Sequence, residues 1–277
     1  MGNNAQTAPA DNSGDRRSDI NYMMAMAPRP ARYLCKPPDD MPEFNWQFEA
    51  RPLTVHDARA LASSITLDEH GFCLRQIPTE VADFHVAKDV LEVYYREIEQ
   101  FVQAATGAQK VLAFDYNLRS ASKEDRKATG AFPPATFAHA DYTTNSARQR
   151  ILDLLPKEEA DQRLARRYSF INLWRAIDGP VQNDALCVCD ASSIGPNDLV
   201  ATDLIYDDRM GEIYNVTFNQ NHRWYYYRHM VGDDVLMITN FDSERQLTVP
   251  HTGFTDPSVP ASAPPRKSIE VRVVVFY

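Results

Sequence analysis

The chain has 277 residues, 44% of them hydrophobic and 24% charged, with a formal net charge of −9 at pH 7. That apolar content buries a sizeable core, excludes wholesale disorder and fits one large domain or two small ones. The acidic balance excludes a nucleic-acid binder, which needs basic stripes to neutralise phosphates. No run approaches the roughly 18 apolar residues of a membrane span. The polar start lacks a basic-then-apolar leader, so no signal peptide is expected. Cys35, Cys73, Cys187 and Cys189 form no disulfide-scaffold pattern, and Cys187-x-Cys189 is not a zinc CxxC. Free thiols and a cytosolic setting are expected.

In chain order, residues 1–20 read as a disordered tail and 21–277 as a single domain. Prolines from 28 to 42 suggest an extended arm lying over the body. Thr54 is placed to cap a short helix through residue 65, and Gly71-Phe72 turns into a strand. The clearest helix is 88–105. Val90, Tyr94, Ile98, Phe101, Val102 and Ala105 recur near one face, and Gly107 is a natural stop. A buried-type strand over 110–116 and a polar loop over 120–130 follow. Beyond residue 134 the pattern changes to eight short strands: 136–142, 168–176, 186–192, 212–219, 224–230, 234–242, 250–254 and 268–277. One helical insert, capped by Thr144 or Asn145 and continued over 151–166 with a break at Pro156, interrupts them. The fold expected is α+β with a mainly β core: a jelly roll, or double-stranded β-helix of cupin-like form, built from about 134–277. N-terminal helices pack on it, and the helical insert follows its first strand.

His139 and Asp141 stand two positions apart, so on a strand both side chains point the same way. An isolated His-x-Asp is common by chance, and its bland reading is a core histidine beside a helix cap. Here the tripeptide opens the strand-rich region, and His251 lies late in it, where another strand can bring a third ligand. Two histidines and one carboxylate on one face leave open positions on a metal, the arrangement of non-haem Fe(II) oxygenases. His222 and His229 lack a downstream arginine at comparable spacing, and His56, His70 and His85 read as surface or capping residues.

A metal of that kind can be chelated by the keto-acid end of 2-oxoglutarate, with O2 as co-reactant. The far carboxylate then needs a partner inside the pocket, where an unpaired charge is costly. Arginine suits it, because the planar fork pairs bidentately with carboxylate. Arg266 with Ser268 as helper is the expected pair at the mouth of the last strand, and Arg272, which keeps the same parity, is the reserve or a partner for substrate. The bland alternative for either arginine is an ion pair with Glu270 or another carboxylate.

A family resemblance rests on the stretches 72–95 and 107–115, His139-Ala140-Asp141, Ile171-Asn172-Leu173-Trp174-Arg175, Cys189-Asp190-Ala191 and His222-Arg223-Trp224. Further stretches are Asp242-Ser243, Pro250-His251-Thr252-Gly253-Phe254-Thr255-Asp256-Pro257 and Pro265-Arg266-Lys267-Ser268-Ile269-Glu270-Val271-Arg272. Over about residues 45–277 the chain resembles the gibberellin-desaturase-like family. That family includes a cephamycin-pathway hydroxylase component and fungal hydroxylase/desaturases. The resemblance implies a double-stranded β-helix, Fe(II), 2-oxoglutarate and oxidation of an unactivated C–H bond by hydroxylation, desaturation or ring closure. Tyr225-Tyr226-Tyr227-Arg228-His229 departs from it, since a proline often follows the aromatics there.

The substrate expected is a small natural-product or amino-acid-like molecule carrying a carboxylate, with no nucleic-acid or membrane partner and the oligomeric state open. Asn172, Trp174, Arg175, Tyr225 and Tyr227 are its candidate contacts, with a structural role as the rival for Trp174 and Arg175 and packing as the role of one of the two faces of the tyrosine run. Two other functions compete: a non-catalytic ligand-binding β-sandwich, and a zinc hydrolase on a cupin-like fold. The intact His139, Asp141, His251 and Arg266 argue against the first. The second needs a general base beside the metal and no far-carboxylate arginine.

Overall fold

The structure is a computed structural model that describes residues 14–25 and 29–277. Its strands are β1 (Arg16–Met23), β2 (Ala31–Tyr33), β3 (Phe48–Asp57), β4 (Phe72–Gln76), β5 (Lys110–Ser120), β6 (His139–Ala140) and β7 (Tyr168–Asp178). Then follow β8 (Leu186–Cys189), β9 (Leu199–Ile205), β10 (Met210–Val216), β11 (Trp224–Tyr226), β12 (Asp234–Asp242), β13 (His251–Gly253) and β14 (Lys267–Phe276). They form a nine-stranded sheet, β1-β3-β11-β8-β13-β6-β10-β9-β2, and a five-stranded sheet, β4-β12-β7-β14-β5. The sheets pack on each other as a jelly roll. One core cluster joins Trp174, Leu236 and Ile238 of the five-stranded sheet to Leu186 and Val188 of the nine-stranded one.

The outer face of the five-stranded sheet is covered by helix. A short α1 (Ala87–Asp89) runs through a π-helical turn (Val90–Tyr94) into α2 (Tyr95–Thr106). Val90, Tyr94, Ile98 and Val102 are fully buried and pack on Leu173, Val235, Ile269 and Val271, the outward side chains of the sheet. The helix stops at Gly107, whose φ of +67° is the left-handed end that a glycine takes without steric cost. Ile98→Ala should therefore cost about 2–5 kcal/mol of unfolding free energy. Leu91→Ala, at a position 52% exposed, should change it by less than about 0.5 kcal/mol, both read from denaturant midpoints.

Several expected elements are corrected. Residues 16–20 of the expected tail are strand, since β1 pairs along its whole length with β3, and residues 1–13 lie outside the described residues. The β core therefore draws on β1, β3, β4 and β5 as well as on 134–277. Thr54 lies inside β3 and caps nothing; Asp57 accepts from the Arg59 N–H at 3.1 Å and opens a 3-10 turn, Ala58–Leu61. The polar loop over 120–130 contains α3 (Lys123–Thr129), capped by Ser122 and ended at Gly130. Thr143, not Thr144 or Asn145, caps α4 (Thr144–Leu154), and Pro156 separates it from α5 (Lys157–Leu164). Of the expected arm, residues 26–28 lie outside the described residues, and Ala31–Tyr33 adds a parallel strand beside β9.

Candidate metal centre

β6 and β13 are neighbours in the nine-stranded sheet, and their register sets His251 directly opposite His139. The two rings lie 4.6 Å apart between centroids. Each imidazole is turned the same way. His139 Nδ1 sits 2.9 Å from the Phe137 carbonyl and His251 Nδ1 sits 3.4 Å from the Val249 carbonyl. A backbone carbonyl at Nδ1 selects the tautomer with its proton there and leaves the Nε2 lone pair free. The two Nε2 atoms face Asp141 Oδ1 at 3.7 and 4.0 Å. One ligand atom from each residue lies within 4.8 Å of the others, a spacing that can hold one metal ion. Burial, with the neighbouring His251, pushes His139 down to about 3, so its imidazole is neutral and able to ligate at neutral pH.

Asp141 is braced from the opposite sheet. Its backbone N–H donates to Asn240 Oδ1 on β12 at 3.0 Å. Its Oδ2 accepts from Asn172 Nδ2 on β7 at 2.7 Å and from Arg272 Nε on β14 at 2.9 Å. Burial favours the protonated acid, but Arg272, the two histidines and Asn172 outweigh it and hold the carboxyl well below its usual range. The carboxylate is thus ionised, with Oδ1 facing the histidines.

The two candidate arginines have different surroundings. Arg272 bonds to Asp141, to Asp115 at 2.8 Å and to Glu270 at 3.0 Å, so its cation is matched inside the protein. That is the ion-paired alternative expected for either arginine, here with Asp141, Asp115 and Glu270 as the partners. Arg266 is 2% exposed and has no carboxylate within ion-pair distance among the described residues. Nη1 donates to the Asp184 carbonyl at 2.6 Å, the guanidinium lies 5.5 Å over the Trp174 ring, and Nε is buried without a partner. Burial and the nearby Arg119 push Arg266 down to about 10, only partly offset by Asp184 and Glu270. Ser268, two positions along β14, is buried and stands opposite Arg119. Beside Arg266 runs Gly253, where a Cβ would come within 2.9 Å of the Ala135 carbonyl.

The expected substrate contacts fare differently. Asn172 reaches Asp141 itself. Trp174 is core and forms the shelf under Arg266. Arg175 has the opposite parity on β7 and points into the helical layer, where Nε donates to Tyr94 Oη at 2.9 Å and a second donor reaches the Ile77 carbonyl. Tyr225 packs on His56 and Phe72, and Tyr227 is 2% exposed in the core. None of the five lines the cavity of about 470 Å³ that opens on Asp141. That cavity is walled by α4 and the β9–β10 hairpin and includes Tyr142, Gln149, Arg150, Tyr206 and Glu212. Sequence reasoning missed these residues. The available signal was the helical insert directly after the His-x-Asp strand, which has to pass the mouth of the site.

A jelly roll with two histidines and a carboxylate converging at its mouth is the architecture of mononuclear non-haem iron oxygenases. A family model described as an oxidoreductase/YMDC permease-like domain matches residues 20–276. The chain is 32% identical to the Fe(II)/2-oxoglutarate-dependent dioxygenase nvfI of Aspergillus novofumigatus, over 88% of this chain and 89% of that one. It is 29% identical to the hydroxylase/desaturase efuI of Hormonema carpetanum, over 83% and 85%. Among solved structures, the iron and alpha-ketoglutarate-dependent endoperoxidase NvfI superposes with a TM-score of 0.86 at 26% identity, covering 95% of this chain and 98% of that one. The chain belongs to this oxidoreductase family, that of the Fe(II)/2-oxoglutarate-dependent dioxygenases and hydroxylase/desaturases. It is an enzyme that uses Fe(II), 2-oxoglutarate and O2 on a small-molecule substrate. No described helix is long and apolar enough to cross a membrane.

Proposed function

We propose that His139, Asp141 and His251 hold the Fe(II), that Arg266 with Ser268 receives the far carboxylate of 2-oxoglutarate, and that the reaction oxidises an unactivated C–H bond. The observation that carries the reading is the pairing of a convergent ligand set with a buried arginine that lacks a counter-ion. A 2-oxoglutarate carboxylate at Arg266 would satisfy the idle Nε and offset the repulsion from Arg119. The metal and cosubstrate, when bound, supply oxidation of substrate coupled to decarboxylation of 2-oxoglutarate to succinate and CO2. The chain's own part is placement. Asn172 and Arg272 hold Asp141, the Phe137 and Val249 carbonyls hold the histidine rings, and the cavity against Asp141 holds substrate. The outcome is hydroxylation, desaturation or oxidative ring closure.

The finer proposal is that the substrate carries a carboxylate, which Arg150 meets. Arg150 lines the cavity, lies 5.8 Å over the Phe114 ring and has no ion pair among the described residues. The acids around it are already engaged: Asp115 by Arg272, Asp203 by Arg29 and Asp153 by Gln149. Glu212 is likewise held by Arg29 and Thr143. The proposed setting is the cytosol, in keeping with four free thiols, three of them buried.

The test is succinate release in air with Fe(II) and 2-oxoglutarate, screened against small carboxylic acids and their methyl esters. Acids that stimulate release should outnumber esters, and Arg150→Gln should raise their KM about tenfold or more. Equal response to acid and ester, in wild type and variant alike, contradicts the carboxylate. A mass gain of about 16 in the consumed acid marks hydroxylation, and a loss of about 2 marks desaturation or ring closure.

A further inference from the structure

The Arg272 guanidinium spends every donor it has. Nε goes to Asp141 Oδ2, Nη1 to Asp115 Oδ2 and Nη2 to Glu270 Oε1. The remaining N–H groups reach the Asn117 amide oxygen, turned toward them, at 2.6 Å from Nη1 and 3.0 Å from Nη2. Asp115, Glu270 and Asn117 come from β5 and β14, so the fork is fixed by the five-stranded sheet before it touches Asp141. Asn172 arrives from β7 on the same oxygen. Asp141 Oδ2 therefore has two charge-assisted or amide donors on it, while Oδ1 has none and faces both Nε2 atoms.

We propose that Arg272 and Asn172 are positioning residues that restrict Asp141 to one-oxygen ligation by occupying its second oxygen. This rests on the metal assignment made above. The physical reason is the geometry of the open positions. A carboxylate free to rotate can put both oxygens on the metal and so take a position that the cosubstrate or O2 needs. Two donors on Oδ2 oppose that rotation, and the fork also fixes the distance of Oδ1 from the histidines. Lysine cannot replace Arg272 here, because an ammonium with three donors cannot span the four oxygen partners that the guanidinium reaches. Asp115 and Arg272 also line the substrate cavity, so the same fork forms both the cavity wall and the support of the carboxylate.

The experiment is anaerobic titration of wild type, Asn172→Ala and Arg272→Lys with Fe(II), first alone and then with 2-oxoglutarate, reading the metal Kd and the weak visible charge-transfer band. The metal-free Tm of each is measured alongside. Both variants should bind Fe(II) about 10–100-fold more weakly. The band per bound metal should be diminished, as the freed carboxylate competes with the chelate. Asn172 is fully buried, so Asn172→Ala should also lower the metal-free Tm; the deciding readout is the band per bound metal in the folded protein, which a merely structural role would not move. Should Arg272→Lys fail to fold, Asn172→Ala still decides. Unchanged Kd and band in Asn172→Ala overturn the proposal. A wild type without any band contradicts the metal assignment itself, and that failure is distinguishable because it appears before any variant is made.

Discussion

His139→Ala and Asp141→Ala should each reduce succinate formation by about 10³-fold or more, because each removes a proposed metal ligand on which several kcal/mol of metal-dependent catalysis would depend. The losses should not add: once one ligand is gone the metal is lost, so the double variant should be no worse than either alone. The two should part company in stability. His139 is neutral and its Nδ1 bond is to a backbone carbonyl, so Ala there removes one modest hydrogen bond and some buried ring. Asp141→Ala strips Arg272 of one of three carboxylates and leaves Asn172 Nδ2 without its acceptor. Its cost in metal-free unfolding free energy should reach about 2–4 kcal/mol. Denaturant melts of metal-free protein check the order.

Arg266→Leu should abolish tight cosubstrate binding and yet not destabilise the metal-free protein. Burial without a carboxylate partner holds Arg266 down at about 10, against an ordinary value of 12.5. A cation whose folded value lies below its unfolded value is penalised in the folded state at every pH below both. The penalty therefore persists across the neutral range and fades only as pH rises past about 10. Its size at pH 7 is on the order of 3 kcal/mol. Leu removes that penalty and keeps some apolar contact with Trp174, so the metal-free Tm should be unchanged or higher. The cosubstrate loses its proposed charge partner, and KM for 2-oxoglutarate should rise about 10²-fold or more. In wild type, 2-oxoglutarate with metal should raise Tm, by about 2.7 kcal/mol of added stability at 100 times Kd; in Arg266→Leu that increment should vanish. A destabilised variant with unchanged KM would place the carboxylate elsewhere.

The convergence of His139 and Asp141, the proposed ligand pair, was legible because strand alternation is local: residues two apart share a face whatever the rest of the chain does. The same alternation could have separated Asn172 and Trp174 from Arg175, and the structure shows that it does. It could not separate Arg266, just before β14, from Arg272 within it, since the two share parity. Only their neighbours differ, and Asp115, Asn117 and Asp141 reach Arg272 from other segments of the chain. β1 was missed because Arg-Arg-Ser-Asp reads as tail; its stability comes from pairing with β3 and from Tyr22, whose hydroxyl accepts from Trp224 Nε1 at 2.6 Å. β9 was missed because it is half-buried near the edge, with little apolar alternation. The helix 88–105 was legible since its buried face is made by its own spacing, whereas α3 has no buried residue to betray it.

Anaerobic addition of Fe(II) and 2-oxoglutarate to the metal-free protein tests the central claim most directly. A weak visible charge-transfer band should appear only with both present, saturate at one metal per chain and be absent in His139→Ala and Asp141→Ala. Failure of the band in wild type, with no succinate formed in air, would contradict the assignment of His139, Asp141 and His251 to an Fe(II) centre.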